Sequence, residues 1–409
     1  MKPRILIAIH YMEIGGAERS LVGLLNAIDT EKVDVDLFVY SHRGEFMALI
    51  PEKINLLPEI EVYSTLEKPM KQMLLRGHVG IVAARVAARV AFEMWKKRSG
   101  MKGADAALQY VSDFTTPLLP SLHRLGRYDL AISFVTPHRI VLDKVDARVK
   151  AAWIHTDYSY IHVNARRELR TWQGYDYVVS ISDDVTRAFL TVFPTLADKI
   201  VKIENILSPK FVRRQATLFD PCERMPKREG ELRICSVGRY SLPKNFDNVP
   251  WMCRKLVEWG YNPMWYIIGY GQDEALIRRN IDEAGMAERV ILLGKQDNPY
   301  PYMAACDVYA QPSRYEGKSV TVREAQVLCR PVVIANYATA PSQVKDGVDG
   351  LIVPLNNEDY ARGIARVADD GALRERLCSY LRTHDYGNEA EVEKIYSLLP
   401  KDAAAKTAK

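Results

Sequence analysis

The sequence predicts an α/β chain of two doubly wound domains, and three observations carry that expectation. Its 409 residues exceed the roughly 250–300 that one hydrophobic core usually organises. Short runs rich in Ile, Val and Leu recur in both halves without polar alternation, as in parallel strands covered on both faces. Segments with helical spacing separate them, and such alternation winds parallel sheets through right-handed crossovers.

In the first half the predicted strands span residues 4–10, 33–40, 129–135, 151–155 and 177–181, with a helix over 17–28. In the second they span 232–238, 264–268, 290–293, 308–311, 332–335 and 351–353, with helices over 274–284 and 322–328. Ser208-Pro209 and the polar stretch from Asp220 to Glu231 mark a linker near 207–230. The Ala- and Lys-rich end from Asp402 onward is expected to fray.

Apolar residues make up 48% and charged residues 26%, which excludes a disordered, collagen-like or multi-span membrane chain. Only five apolar residues, Ile5 to Ile9, precede His10, fewer than the roughly 7–15 of a secretory signal. No run approaches the ~18 uncharged apolar residues of a spanning helix. The expected location is therefore the cytoplasm, or the inner face of the plasma membrane as a peripheral protein. Cys222, Cys235, Cys253, Cys306, Cys329 and Cys378 all fall in the second half without a Cys-x-x-Cys pair. Buried free thiols are expected, and neither a zinc site nor a disulfide framework.

The net charge of +5 is unevenly distributed: residues 68–102 hold nine basic side chains against the one acid Glu93, a local +8 that leaves −3 elsewhere. A local excess points to one anionic surface or ligand and away from general nucleic-acid affinity. On a helical wheel His78, Arg85, Arg89 and Lys96 fall within about 40° of one another, with Val86, Val90, Phe92, Met94 and Trp95 on the remaining arc. Two readings stand: a basic amphipathic helix lying on anionic lipid, or a helix packed into the first domain with a solvated stripe. Gly77 and Gly80 weaken the helix at its start.

Ligands bind beyond the carboxyl ends of strands in open parallel sheets, so the residues that follow each strand matter most. Gly15-Gly16 opens a helix whose amides can cradle a phosphate, or forms an ordinary tight turn with positive φ. Arg239 and Lys244 lie in a loop broken by Pro243. Two cations there can neutralise a diphosphate, or are simply solvated. Glu316 and Glu324 are eight apart around Gly317-Lys318-Ser319-Val320; carboxylates accept hydrogen bonds from sugar hydroxyls. Equally, Thr321-Val322-Arg323-Glu324 fits a capping box in which Glu324 only satisfies the Thr321 amide. His155 ends a strand, where it can donate to a sugar or phosphate oxygen or serve structure, and Asp157 is a hydroxyl acceptor or a helix cap. Gly269-Tyr270-Gly271 lacks the third glycine of a dinucleotide fingerprint, and no P-loop is present.

In this order the motifs resemble a retaining GT-B glycosyltransferase of the family-4 type, in its bacterial surface and capsular polysaccharide subgroup. The resemblance is clearest from Leu232 to Pro354. It rests on Glu316-x₇-Glu324 after Gly238-Arg239…Lys244, with Gly15-Gly-Ala-Glu-Arg and Trp153-Ile-His155 in support. It implies two Rossmann-like domains facing an interdomain cleft: residues 1–207 for the acceptor, joined by a C-terminal helix in about 385–409, and 208–384 for the nucleotide-sugar donor. By similarity Arg239 and Lys244 hold the diphosphate, the Gly16 backbone closes on it, Glu316 takes the sugar and Glu324 the ribose. Gly15, Gly238, Gly317, Lys318, Ser319 and Val320 line the donor site, and His155 matches the family's cleft histidine.

The resemblance further implies a hexosyl transfer with retention, no divalent metal and no cofactor. The partners are a nucleoside-diphosphate sugar and a glycan or polyprenyl-linked acceptor, with no nucleic acid; the membrane reading of residues 68–102 would serve a lipid-linked acceptor. Lys318, and Tyr337-Ala-Thr-Ala-Pro in place of Gly-Gly-x-x-Glu, depart from the common pattern and leave the donor sugar open. The competing readings are a sugar-nucleotide epimerase or phosphorylase on a related fold, and a non-catalytic two-lobed sugar-binding protein.

Overall fold

The computed structural model describes residues 2–66, 68–101, 103–156, 158–159, 161–317 and 319–403. Lys102, Asp157 and Lys318, all singled out by sequence, lie outside the described residues. Two units form: Met1–Ile206 with Asn388–Lys409, and Leu207–Gly387.

The first unit is built on β1 (Arg4–Ile9), β2 (Asp34–Val39), β3 (Asn55–Leu56), β4 (Tyr128–Ser133), β5 (Ala147–Ile154), β6 (Tyr177–Ser180) and β7 (Ile200–Lys202). Among the described residues they pair in the order β3-β2-β1-β4-β5-β6-β7, all in parallel. The second unit holds β8 (Leu232–Val237), β9 (Pro263–Ile268), β10 (Val290–Gly294), β11 (Val308–Gln311), β12 (Val332–Ala335) and β13 (Leu351–Val353). Their order is β10-β9-β8-β11-β12-β13, the doubly wound arrangement in which crossovers leave the first strand in both directions. The direction reverses between β1 and β4 in one unit and between β8 and β11 in the other, which opens a crevice beyond their carboxyl ends.

The strands form because their side chains are buried on both faces. Ile5, Leu6, Ile7, Ala8 and Ile9 of β1 and all four residues of β11 are buried. Polar groups inside the second sheet are satisfied locally: Trp265 Nε1 donates to Ser236 Oγ at 2.9 Å, and that hydroxyl donates to the Ala310 carbonyl at 2.6 Å. Sequence reasoning missed β3 and β7, the two shortest strands of the first sheet. Two or three residues at or near a sheet edge leave too little apolar run to register.

The expected linker proves structured. Residues Pro209–Gln215 are helical, and Leu207, Val212 and Met225 are buried in the core of the second unit. The final segment is a short helix, Val392–Tyr396, tied into the first unit. The Asp29 amide donates to Tyr396 Oη at 2.8 Å and the Glu204 amide to Glu391 Oε2 at 2.9 Å. Of the cysteines, Cys235, Cys253 and Cys306 are buried, Cys329 and Cys378 half-buried, and Cys222 exposed, all as free thiols. Among the described residues no helix is long and apolar enough to cross a membrane, and no three His, Cys, Asp or Glu side chains group as metal ligands.

Candidate functional site

In the second unit, the loops leaving β8 and β11 are stitched together. Gly238 and Arg239 follow β8, then a tight turn at Leu242–Lys244. Asn245 next takes a left-handed conformation at φ 61°, which asparagine tolerates better than most residues. It is 3% exposed, and its Nδ2 donates to the Pro312 carbonyl at 2.9 Å. The Arg314 amide donates to the Pro243 carbonyl at 2.7 Å, and its guanidinium grips Asp247 through two bonds of 2.8 and 2.7 Å. A bidentate pair of this kind fixes direction as well as distance.

Across this frame Lys244 Nζ donates to Glu316 Oε1 at 2.5 Å. The same oxygen accepts from Ser313 Oγ at 2.7 Å and from Gln311 Nε2 at 3.3 Å, and Thr339 Oγ1 donates to the Glu316 carbonyl at 2.7 Å. Glu316 is thus preset by a cation and two neutral donors. Arg239 is exposed, and no ion pair among the described residues engages it. Gly238 gives the Lys244 stem room, since a Cβ there would lie 3.1 Å from Lys244 Cε.

The capping-box account of Glu324 does not hold. The helix begins two residues earlier than predicted, at Val320–Val327, with Ser319 as N-cap, so Thr321 is inside the first turn. Glu324 is fully buried, and Tyr300 Oη donates to its Oε1 at 2.7 Å. The Ser319 amide donates to Gln343 Oε1 at 3.0 Å, which fixes the approach to the helix, while exposed Gly317 leaves open space around its Cα. Beyond β8 and β11, then, the structure gathers Lys244, Glu316, Gly238 and Gly317 in one loop frame, with Ser319, Val320 and Glu324 on the adjoining helix.

In the first unit, Gly15 caps the helix Gly16–Ala27 in an extended conformation, φ −156°. Neither glycine is among those with positive φ, so a tight turn is not why they are there. A Cβ at Gly15 would meet only the movable carboxylate end of Glu18, and Gly16 faces open space.

His155, after β5, lies with its ring 4.6 Å from that of Phe134. It lines a cavity of about 270 Å³ with Gln109, His138, Trp153, Glu168 and Trp172. His138 Nδ1 meets Ser133 Oγ at 2.8 Å, and Tyr158 Oη donates to Glu168 Oε1 at 2.9 Å. Burial pushes both imidazoles down to about 3, His138 with further help from neighbouring histidines. At neutral pH His155 is therefore an uncharged hydrogen-bonding group.

Burial pushes the Glu168 carboxyl the other way, from 4.5 up to about 7. The unfolded chain releases that proton near 4.5 and the folded chain near 7, so the carboxyl's contribution is intact below 4.5 and is lost as pH rises through 7. The two histidines oppose it, since folding must strip their protons below their ordinary 6.5. Glu168→Gln should therefore gain stability over wild type between pH 5 and pH 7.5, by on the order of 2 kcal/mol. Urea unfolding at the two pH values measures it; an unchanged difference would mean that Glu168 titrates like an exposed carboxylate.

Sequence reasoning missed Asn245, Tyr300, Gln311 and Ser313. Gln311-Pro-Ser313, a polar break ending a buried strand, was a usable signal. Tyr300 had none, because it meets Glu324 from 24 residues away.

Parts of this chain are similar to known proteins. Residues 223–384 match the family model described as glycosyl transferases group 1. A stretch of 145 residues, 35% of this chain, is 29% identical to the lipopolysaccharide core biosynthesis glycosyltransferase LpsE of Rhizobium meliloti, covering 42% of that protein. Another, 37% of this chain, is 32% identical to the Campylobacter jejuni N-acetylgalactosamine-N,N'-diacetylbacillosaminyl-diphospho-undecaprenol 4-alpha-N-acetylgalactosaminyltransferase, covering 41% of it. The chain thus spans about four-tenths of the length of these relatives. A TarM mutant from S. aureus, solved with Fondaparinux, alpha-GlcNAc-glycerol and UDP, superposes with a TM-score of 0.66 at 14% identity, over 97% of this chain and 99% of that one. The fold is α/β with two Rossmann-like units, the GT-B class.

Proposed function

We propose that this chain is a glycosyltransferase of bacterial polysaccharide biosynthesis. It moves a hexosyl group from a nucleoside-diphosphate sugar to a glycan or lipid-linked acceptor, with retention and without a metal. The observation that carries this reading is the Lys244–Glu316 pair, 2.5 Å long, set in a locked frame beyond the two strands where the sheet order reverses. The family match over residues 223–384 covers the same loops.

Breaking the bond between the anomeric carbon and phosphate leaves negative charge on the departing diphosphate, so catalysis depends on cations and oriented amides fixed where that charge grows. Lys244 and Arg239 supply the cations, and the helix start at Ser319 and Val320 supplies amides. Without donor, Lys244 is neutralised by Glu316. A diphosphate draws the ammonium away, and the freed carboxylate accepts from sugar hydroxyls. Glu324, held in place by Tyr300, is the acceptor for the ribose hydroxyls, and Gly238 and Gly317 let the chain approach closely.

In the first unit, the amides at Gly15 and Gly16, where a helix starts, suit an anion, and neutral His155 suits a hydrogen-bonding role. In the retaining reading the bond from the anomeric carbon to the phosphate oxygen breaks, the acceptor oxygen bonds to that carbon, and the leaving phosphate oxygen takes the acceptor's proton. No protein base is needed.

Thermal unfolding with nucleoside diphosphates in a chelator tests the reading. At a ligand concentration a hundred times Kd, protection should amount to about 2.7 kcal/mol. Protection only on adding divalent metal would refute metal independence, and none from any base would remove the donor assignment. Screening nucleotide sugars for turnover then identifies the donor.

A further inference from the structure

We propose that the outer face of the helix Val79–Ser99, together with Leu74 and Leu75, docks on an anionic lipid surface. The inner face of this helix already has its partners. Ile81, Val82, Ala88 and Phe92 are buried, and Phe92 packs edge-on against Tyr110 at 5.7 Å. The outer face is apolar as well. Val79, Val86, Val90 and Met94 are 61, 48, 53 and 51% exposed, and Leu74 and Leu75 are 50 and 80% exposed. These six are among fifteen large apolar side chains exposed among the described residues, so the clustering is local. At 100° per residue Val79, Ala83, Val86, Val90 and Met94 share one arc about 80° wide, running some 22 Å along the axis. Folding does not require this second stripe.

The charge around the stripe selects its occupant. Lys71 lies beside one end, Arg89 along the flank, and Lys97 and Arg98 at the other end; all four are exposed, and no ion pair among the described residues engages them. Glu93 is the one acid of the helix. Cations at both ends mean that a second copy, laid parallel or antiparallel, would set like charges against each other. A surface with negative headgroups over an apolar layer satisfies stripe and rim together.

This is not the basic stripe read from the wheel. Arg85 turns inward, donating to the Thr65 carbonyl at 2.9 Å and the Lys68 carbonyl at 2.6 Å, and His78 is half-buried near Glu61. The membrane-facing side is the opposite one. Gly77, at φ 81°, ends the preceding helix Met70–Leu75 and brings Leu74 and Leu75 to the start of the stripe.

Flotation of the full chain with vesicles tests this, comparing phosphatidylcholine alone with phosphatidylcholine holding about 30% phosphatidylglycerol, in about 50 mM and about 500 mM salt. Partition should be at least tenfold stronger on the anionic vesicles at low salt and fall sharply at high salt. Val86→Asp/Val90→Asp and, separately, Lys97→Glu/Arg98→Glu should each weaken it about tenfold or more. All four positions are exposed; thermal unfolding and protection by a nucleoside diphosphate report folding and donor binding separately, so loss of the transferase reading would not be mistaken for loss of this one. No partition, equal partition on both vesicles, or partition insensitive to both variants overturns the proposal. A vesicle-independent dimer that Val86→Asp/Val90→Asp dissociates assigns the stripe to a second copy and overturns it too.

Discussion

Replacing Lys244 with Met should lower turnover by about 10²–10³, the usual loss on removing one preorganised group that stabilises developing charge. The apolar stem, which packs on Gly238, is kept, so the change isolates the ammonium. It also strands Glu316, whose side chain is 11% exposed, facing Ser313 and Gln311 without its cation. Because both partners keep some solvent contact, the stability loss should be about 1–3 kcal/mol, below that for a fully buried pair. Lys244→Met/Glu316→Gln removes the stranded charge and should recover most of that stability while turnover stays low. Urea midpoints and kcat on the screened donor separate the two effects. Wild-type turnover in Lys244→Met would take Lys244 out of the reaction.

The second large effect is expected at Gly269, which follows β9. Its φ is 151°, a region that side chains other than glycine's rarely enter. A Cβ there would overlap the Gly238 carbonyl oxygen, a backbone atom that cannot rotate away. The Gly238 amide also donates to the Ile268 carbonyl at 2.9 Å, so the two loops lie in direct contact. Gly269→Ala should therefore cost at least ~3 kcal/mol and push Gly238 and Arg239 outward. Nucleoside-diphosphate protection should fall by more than the stability loss explains. Near-native stability together with full protection would show that the strands part without disturbing the site.

What the sequence disclosed, and what it hid, follows from the range of the interactions. The strands β11, β12 and β13 were predicted with their observed ends, because a continuous apolar run bounded by polar residues is a local signal. The Gly15-Gly16 and Arg239…Lys244 segments were singled out by another local signal, their place just after β1 and β8. Glu324 was ambiguous because Thr321-x-x-Glu324 imitates a cap, and only the register of the helix, set by Ser319 and Gln343, decides against it. Asn245 escaped notice because a left-handed residue in a polar loop leaves no periodic trace. Periodicity could not tell which of two apolar arcs on Val79–Ser99 turns inward; that is settled by Phe92 and Tyr110, and by carbonyls from residues 65 and 68 that capture Arg85.

The order in which the chain emerges during synthesis has a consequence for assembly. The second unit is one unbroken stretch, Leu207–Gly387, whereas the first is closed by Asn388–Lys409, with Asp402 clamping Arg148 and Tyr396 meeting Asp29. On the ribosome, the first unit must wait for residues 388–409 before it is complete, while the second, made between the two parts of the first, can finish ahead of it. Loss of residues 388–409 should thus injure the first unit and spare the second. Residues 207–387 are the natural fragment for calorimetry of nucleotide binding in isolation.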